Sequence, residues 1–249
     1  VMDSELLLDC ALDIGEQMVI CGAEISRVED TIERICRAYG AQRVDVFTIT
    51  SCIITTVKFD DGRPITQTRR IHASCNDLTK LNKLNALSRY ICDTKPDCDK
   101  IRSEFKRLSA SKSYPIIGQY ANFALISASF SVFFGGSWQD ALVSGVIGII
   151  LKWLTLLCSH YNINNVLSNV VCSMVGGYIA VLALRMGLGD SFDKIAIGNI
   201  MLLIPGIQLT NSLRDMIGGD TVSGILRLCN ALLGSVAIAI GFALAGGLL

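Results

Sequence analysis

The chain has 249 residues with 22 basic and 22 acidic side chains, so no net charge draws it to nucleic acid, and no nucleic-acid partner is expected. The charges are unevenly spread: 17 of each sign precede Tyr114, leaving five of each for the longer remainder. A segment so poor in charge and so rich in Leu, Ile, Val, Ala and Gly cannot offer water a polar surface, and its expected partner is the lipid bilayer.

That division predicts a membrane protein: an N-terminal cytoplasmic α+β domain over 1–113, then an α-helical bundle of about five transmembrane helices over 114–249. The opening stretch is punctuated by Asp3, Glu5, Asp9, Asp13 and Glu16 and lacks a basic n-region, so it does not read as a cleavable signal peptide. Ten cysteines contain no CxxC pair, and only two histidines are present, so no metal and no cofactor is expected. So many free thiols suit a reducing compartment, which places the N-terminal domain in the cytoplasm.

In chain order, Leu7, Leu8, Ala11, Leu12, Met18 and Val19 keep helical spacing, with Glu5, Asp9, Asp13 and Glu16 as an acidic stripe that reads as a solvated face. Cys21-Gly22 breaks this helix. A second starts near Glu24, buries Ile25, Val28, Ile32, Ile35, Cys36 and Tyr39, and ends at Gly40; Asp30–Arg34 and Glu33–Arg37 support it as i,i+4 pairs. Val44 to Ile49 and Cys52 to Phe59 read as strands, and Asp61-Gly62 as a hairpin turn returning through Ile65 to Ile71. Two amphipathic helices follow, one carrying Leu78, Leu81, Leu84, Leu87 and Ile91, the other Ile101, Phe105 and Leu108 with Pro96 in its first turn. Ser109 to Pro115 reads as the linker to the membrane.

Spans are predicted near 116–134, 138–157, 166–184, 195–209 and 222–249. Placing the N-terminal domain inside puts Lys100, Arg102, Lys106, Arg107, Lys112, Lys152, Arg214 and Arg227 on or near the cytoplasmic side, with only Arg185 and Lys194 outside. The expected location is therefore the cell (inner or plasma) membrane, multi-pass, with the N-terminus cytoplasmic and the C-terminus on the far side. Lys152 and Arg227 lie close enough to the inner interface to snorkel.

Small and polar residues recur along single faces: Ala141, Gly145, Gly148 and Lys152 in the second span; Ser223, Arg227, Asn230, Gly234, Ala237, Gly241 and Ala245 in the fifth; Gln119, Asn122 and Ser129 in the first. Such seams let helices approach closely or line a polar path, and seams left unfilled would be buried against other copies or a second subunit. The fourth span is short and broken at Pro205-Gly206, with Asn199 before the break and Gln208, Asn211, Arg214 and Asp215 after it. A kinked helix in a rigid bundle accounts for this, as does a discontinuous helix whose ends face a solute. The candidate substrate path is Asn122, Lys152, Asn199, Pro205, Gly206, Asn211, Asp215, Asp220, Arg227 and Asn230. Lys152, Arg185 and Arg227 could each meet a substrate carboxylate.

Gly22-Ala23-Glu24-Ile25-Ser26-Arg27-Val28-Glu29-Asp30-Thr31 resembles the G-x-E-x-x-R-V-E-x-T signature of the threonine/serine exporter family. Ile204-Pro205-Gly206 and Gly219-Asp220-x-x-Ser223-Gly224-x-x-Arg227 are similar to motifs of that family's membrane domain. The resemblance marks Gly22, Glu24, Arg27 and Glu29 as signature residues. It implies export of a small-molecule substrate, threonine and serine in some members and succinate in the split type. By length the chain resembles the larger subunit of the split, YjjP type, which implies a small membrane subunit as partner; the small-residue seams add a homo-oligomer as an expectation. No GxxxxGK[ST] loop suggests ATP-driven transport. Two other functions compete: a membrane-anchored enzyme, with His72 and Cys75 or Ser74 near Asp60 and Asp61 as its raw material, and a ligand-sensing domain for a small cytoplasmic metabolite.

Overall fold

The stripes fold as helices α1 (Ser4–Ile20), α2 (Ile25–Ala38), α3 (Leu78–Thr94) and α4 (Cys98–Ser109), with strands β1 (Arg43–Ile49), β2 (Cys52–Lys58) and β3 (Pro64–Arg70) between α2 and α3. The apolar half forms α5 (Ile116–Phe133), α6 (Trp138–His160), α7 (Asn165–Arg185), α8 (Phe192–Leu203), α9 (Gly206–Ile217) and α10 (Thr221–Gly246). This computed structural model describes residues 4–60, 62–110 and 115–247. Asp61 of the expected hairpin turn, residues 111–114 of the expected linker, and the last two residues lie outside that range.

Two compact units result. The first holds Val1–Ser113 together with Ile207–Leu228, and the second holds Tyr114–Gly206 with Cys229–Leu249. The first unit thus includes α9 and the opening turns of α10, a segment that hydropathy alone assigns to the membrane half.

In the first unit the strands make an antiparallel sheet in the order β1-β2-β3, with Phe47 opposite Ile54 and Val57 opposite Ile65. Ile53, Thr55 and Val57 of β2 alternate inward, so one sheet face is covered while the other, with Phe47 and Ile54, is exposed. Pro64 starts β3 on the sheet edge, where a missing N–H costs no ladder bond. Core residues from α1, α2, α3, α4 and the sheet form one cluster around Leu8, Leu12, Ile32, Ile53 and Leu84.

Two local expectations are corrected. The acidic stripe of α1 is not simply a solvated face: Asp9 pairs with Arg69 of β3 and, at 3.0 Å, with Arg102 of α4, and Asp13 lies 3.7 Å from Arg69. The helix is central to its unit, so its polar side meets basic side chains. Burial, with Asp9 close by, raises the Asp13 carboxyl above its usual range, and Arg69 opposes the shift. Pro96, expected inside the first turn of α4, lies ahead of its N-cap Asp97, and its carbonyl accepts the Tyr39 hydroxyl at 2.6 Å.

In the second unit α5, α6 and α7 are long and apolar enough to span a membrane, as is the whole of α10. The pair α8 and α9 passes the same test together but is bent by 53° at the break, giving up to five spans if the pair counts as one. Large apolar side chains such as Ile117, Leu125, Phe133, Leu142 and Val146 point outward, as lipid requires.

Several seam glycines pack within this chain, whereas Asn230 of the fifth-span seam and Asn122 of the first are exposed. A Cβ on Gly148 would come within 2.7 Å of the Phe123 carbonyl of α5, and one on Gly177 within 2.6 Å of Ala245 Cβ in α10. Gly145 faces Ala124 of α5, and Gly241 sits against Ser173 of α7. The seams permit this close approach because they carry no bulk.

Candidate functional site

The α1–α2 connection is built by backbone rules. Gly22 has φ +89°, and Gly22 N–H donates to Val19 C=O at 3.0 Å while Ala23 N–H donates to Met18 C=O at 2.9 Å. This is a Schellman ending of α1, with glycine where a left-handed residue is needed. It leaves the Gly22 and Ala23 carbonyls pointing away from the helix. It also leaves the first N–H groups of α2 unserved, because Glu24 makes no side-chain cap.

Side chains of α9 and α10 serve those groups. Asn211 Nδ2 donates to Gly22 C=O at 2.9 Å, and Arg227 Nη2 donates to Ala23 C=O at 2.6 Å. Ile25 N–H donates to Asp215 Oδ1 at 3.2 Å, so a carboxylate from α9 caps α2, where the helix dipole favours an anion. Asp215 Oδ2 lies 3.0 Å from Arg227 Nε. The N–H does not point along that line, so the contact is an ion pair rather than a linear hydrogen bond. Arg214 pairs with Glu24, which also lies 3.5 Å from Arg27.

The grip is held rigid from behind. Gly219, φ +97°, ends α9 as Gly22 ends α1, with Asp220 N–H donating to Asp215 C=O at 2.9 Å. A Cβ on Gly224 would come within 2.8 Å of the Ser212 carbonyl, so α9 and α10 touch backbone to backbone. Glu29, one turn into α2, accepts the Thr48 N–H at 2.7 Å and so ties α2 to β1. Burial raises the Glu29 carboxyl, the Thr48 N–H opposes that shift, and Asp220 adds to it.

The structure therefore gathers Gly22, Glu24, Arg27, Asn211, Asp215 and Arg227 in one place, with Glu29 and Asp220 beside them. Arg227 does not snorkel: its side chain is 11 % exposed and is committed to Asp215 and Ala23. The other six candidates belong to the second unit. Asn199 is fully buried, accepting from Ser127 Oγ at 2.8 Å and donating to Ser144 Oγ at 3.2 Å and Ile195 C=O at 2.8 Å, a polar lock among α5, α6 and α8. Lys152 Nζ lies 5.0 Å from the centre of the Phe123 ring. Asn122 and Asn230 are exposed on α5 and α10. Pro205 and Gly206 form the bend, and a Cβ on Gly206 would meet nothing within 4 Å.

Sequence reasoning missed Asp140. It is buried, takes part in the capping box of α6, and accepts Asp190 N–H at 2.8 Å and Ser191 N–H at 3.1 Å ahead of α8. The Ser137-to-Asp140 spacing was the available signal. Among the described residues no group of three or more His, Cys, Asp or Glu side chains is placed to hold a metal ion. His72, Ser74 and Cys75 are all exposed, and Asp60 is engaged by Gln42.

These features define a class: a multi-pass membrane protein with a cytoplasmic α+β domain whose α1–α2 turn is held by side chains of α9 and α10. A family model described as "Putative threonine/serine exporter" matches residues 9–249. A threonine/serine exporter of Corynebacterium glutamicum is 26 % identical over 251 residues, covering 96 % of this chain and 50 % of that protein. A "Probable threonine/serine exporter" of Mycobacterium tuberculosis is 23 % identical, covering 94 % of this chain and 45 % of its own length. Pheromone-regulated membrane protein 10 of Pichia sorbitophila is 23 % identical over 249 residues, covering 94 % of this chain and 24 % of that protein. No solved structure matches. The chain belongs to the threonine/serine exporter family, and it spans about half the length of the two exporter relatives.

Proposed function

We propose that this chain is the half of a secondary exporter that carries the cytoplasmic domain, and that it helps move small polar metabolites out of the cytoplasm. The substrate class is threonine and serine or a dicarboxylate such as succinate. The partner we propose for it is a small membrane subunit of the same exporter, a second copy of this chain, or both. The observation that carries the reading is the buried Asp215–Arg227 pair on the signature turn. It fastens the segment after the Pro205-Gly206 break to the cytoplasmic domain, so that domain and α9 move as one body and the break is the hinge. Arg227 is then a coupling residue, not a substrate ligand. Lys152, which has an aromatic ring beneath it and no salt bridge to an acid among the described residues, is the better candidate to meet a carboxylate.

The test is efflux from cells preloaded with serine, threonine or succinate, with and without the small membrane subunit, checking membrane abundance each time. Export of any one above the empty-vector level supports the reading. No export of all three from cells holding both subunits overturns it.

A further inference from the structure

At the base of the signature turn, two cysteines from distant parts of the chain lie on adjacent backbone stretches. Cys21 ends α1 and is fully buried, whereas Cys75 is exposed in the stretch leading to α3. Cys75 N–H donates to Ile20 C=O at 2.7 Å and Asp77 N–H to Cys21 C=O at 3.3 Å, so the two backbone stretches run side by side. A Cβ on Gly22 would lie 3.4 Å from the Cys75 carbonyl, so the backbone at Cys75 packs directly against the residue that follows Cys21. Cys10 also neighbours Cys98, but both are buried in the core; the exposed Cys75 makes the Cys21 pair open to solutes. Nothing in the exporter mechanism uses these thiols.

We propose that Cys21 and Cys75 form a reversible disulfide under oxidising conditions, and that this bond restrains the turn gripped by Asn211, Asp215 and Arg227 and thereby slows export. The control of export rests on the exporter reading; formation of the bond does not. The oxidant is a low-molecular-weight disulfide such as glutathione disulfide. The Cys75 thiolate attacks one of its sulfurs, the oxidant's S–S bond breaks, and one glutathione thiolate leaves and takes up the proton Cys75 lost. Cys21 then gives up its proton and attacks the Cys75 sulfur, expelling the second glutathione, which takes that proton. Two protein thiols are oxidised and one glutathione disulfide is reduced to two glutathiones. Burial, with Cys75 next to it, pushes the Cys21 thiol up to about 12; Lys80 opposes the shift and Asp77 adds to it. Cys21 is therefore the resolving thiol and Cys75 the one that attacks first, and closure speeds up as pH rises.

The experiment uses membranes containing the full chain, treated with glutathione disulfide, quenched with an alkylating reagent and digested for mass spectrometry. A Cys21–Cys75 linked peptide that disappears on adding dithiothreitol is expected, and Cys75→Ser should not form it. Efflux from wild-type cells should fall several-fold on oxidation and recover on reduction, while Cys75→Ser keeps its rate. Glutathione remaining on Cys75, or no linkage at all, overturns the disulfide. A linked peptide with unchanged efflux in a chain that exports when reduced overturns the control of export. A reduced chain that exports nothing counts against the exporter reading and the control together, while the linked peptide is still read independently.

Discussion

Arg227 Nε stands 3.0 Å from Asp215 Oδ2, and the Asp215 side chain is wholly shielded from solvent. Removing either partner strands a buried charge, while removing both does not. Asp215→Ala or Arg227→Ala should each cost about 3–5 kcal/mol, and the double change to Leu and Met should cost much less than the sum. Thermal unfolding in detergent checks this; additive single effects would show that the pair is not coupled.

Gly22→Ala should destabilise by about 1–2 kcal/mol, because an L side chain resists a φ of +89° and its Cβ would meet Asn76 Oδ1 at 3.0 Å. Gly206→Leu is the contrasting case. Nothing lies within 4 Å of a Cβ there, so its stability should change little. If the bend is the exporter's hinge, efflux should nevertheless fall. Normal efflux from an abundant Gly206→Leu protein would leave the bend without that role.

Glu29 supplies a pH dependence whose sign can be worked out. Its folded carboxyl is raised from 4.5, so the native state holds the proton more tightly than the unfolded chain. Its contribution favours folding below about pH 4.5 and is lost as pH rises through the folded value. Glu29→Gln keeps an acceptor for the Thr48 N–H and should flatten stability against pH on the acid side of neutrality. An unchanged slope would remove Glu29 as its source.

Asn199→Ala leaves Ser127 and Ser144 short of a buried partner and should cost about 1–3 kcal/mol, with α8 the first element to lose protection in hydrogen exchange. Protection lost first elsewhere would place the lock outside α8.

Orientation can be read with reporters active only outside the membrane. Fusions at Gly187 and after Gly247 should give signal, and one at Asn162 should not, because α8 and α9 together cross once. A silent fusion after Gly247 would mean that the bent pair re-enters and returns.

The elements of the first unit were legible because their signals are local: helical stripes, alternation in β2, Gly40 and Gly62 at turns. The role of α1 was not. Nothing within α1 shows that Arg69 and Arg102 will meet Asp9. The site was half legible. Gly22, Glu24, Asp215 and Arg227 could each be singled out, but the bond from Ile25 to Asp215 spans 190 residues, and no periodicity reports it. Seams of Gly and Ala declared that helices would touch there without naming the neighbours, which turned out to be α5 and α7.

Asn211 and Arg227 hold the signature turn by the carbonyls of Gly22 and Ala23, and Asp215 holds it by an amide hydrogen. Apart from the Arg214–Glu24 pair, the grip therefore reads main chain. Any helix ended by a left-handed glycine, followed at the same distance by a fresh helix start, presents the same three atoms. The cytoplasmic domain is accordingly an exchangeable cartridge: one grafted from a distant relative should seat on this chain's α9 and α10 provided that its turn has this geometry, however little else of its sequence is shared.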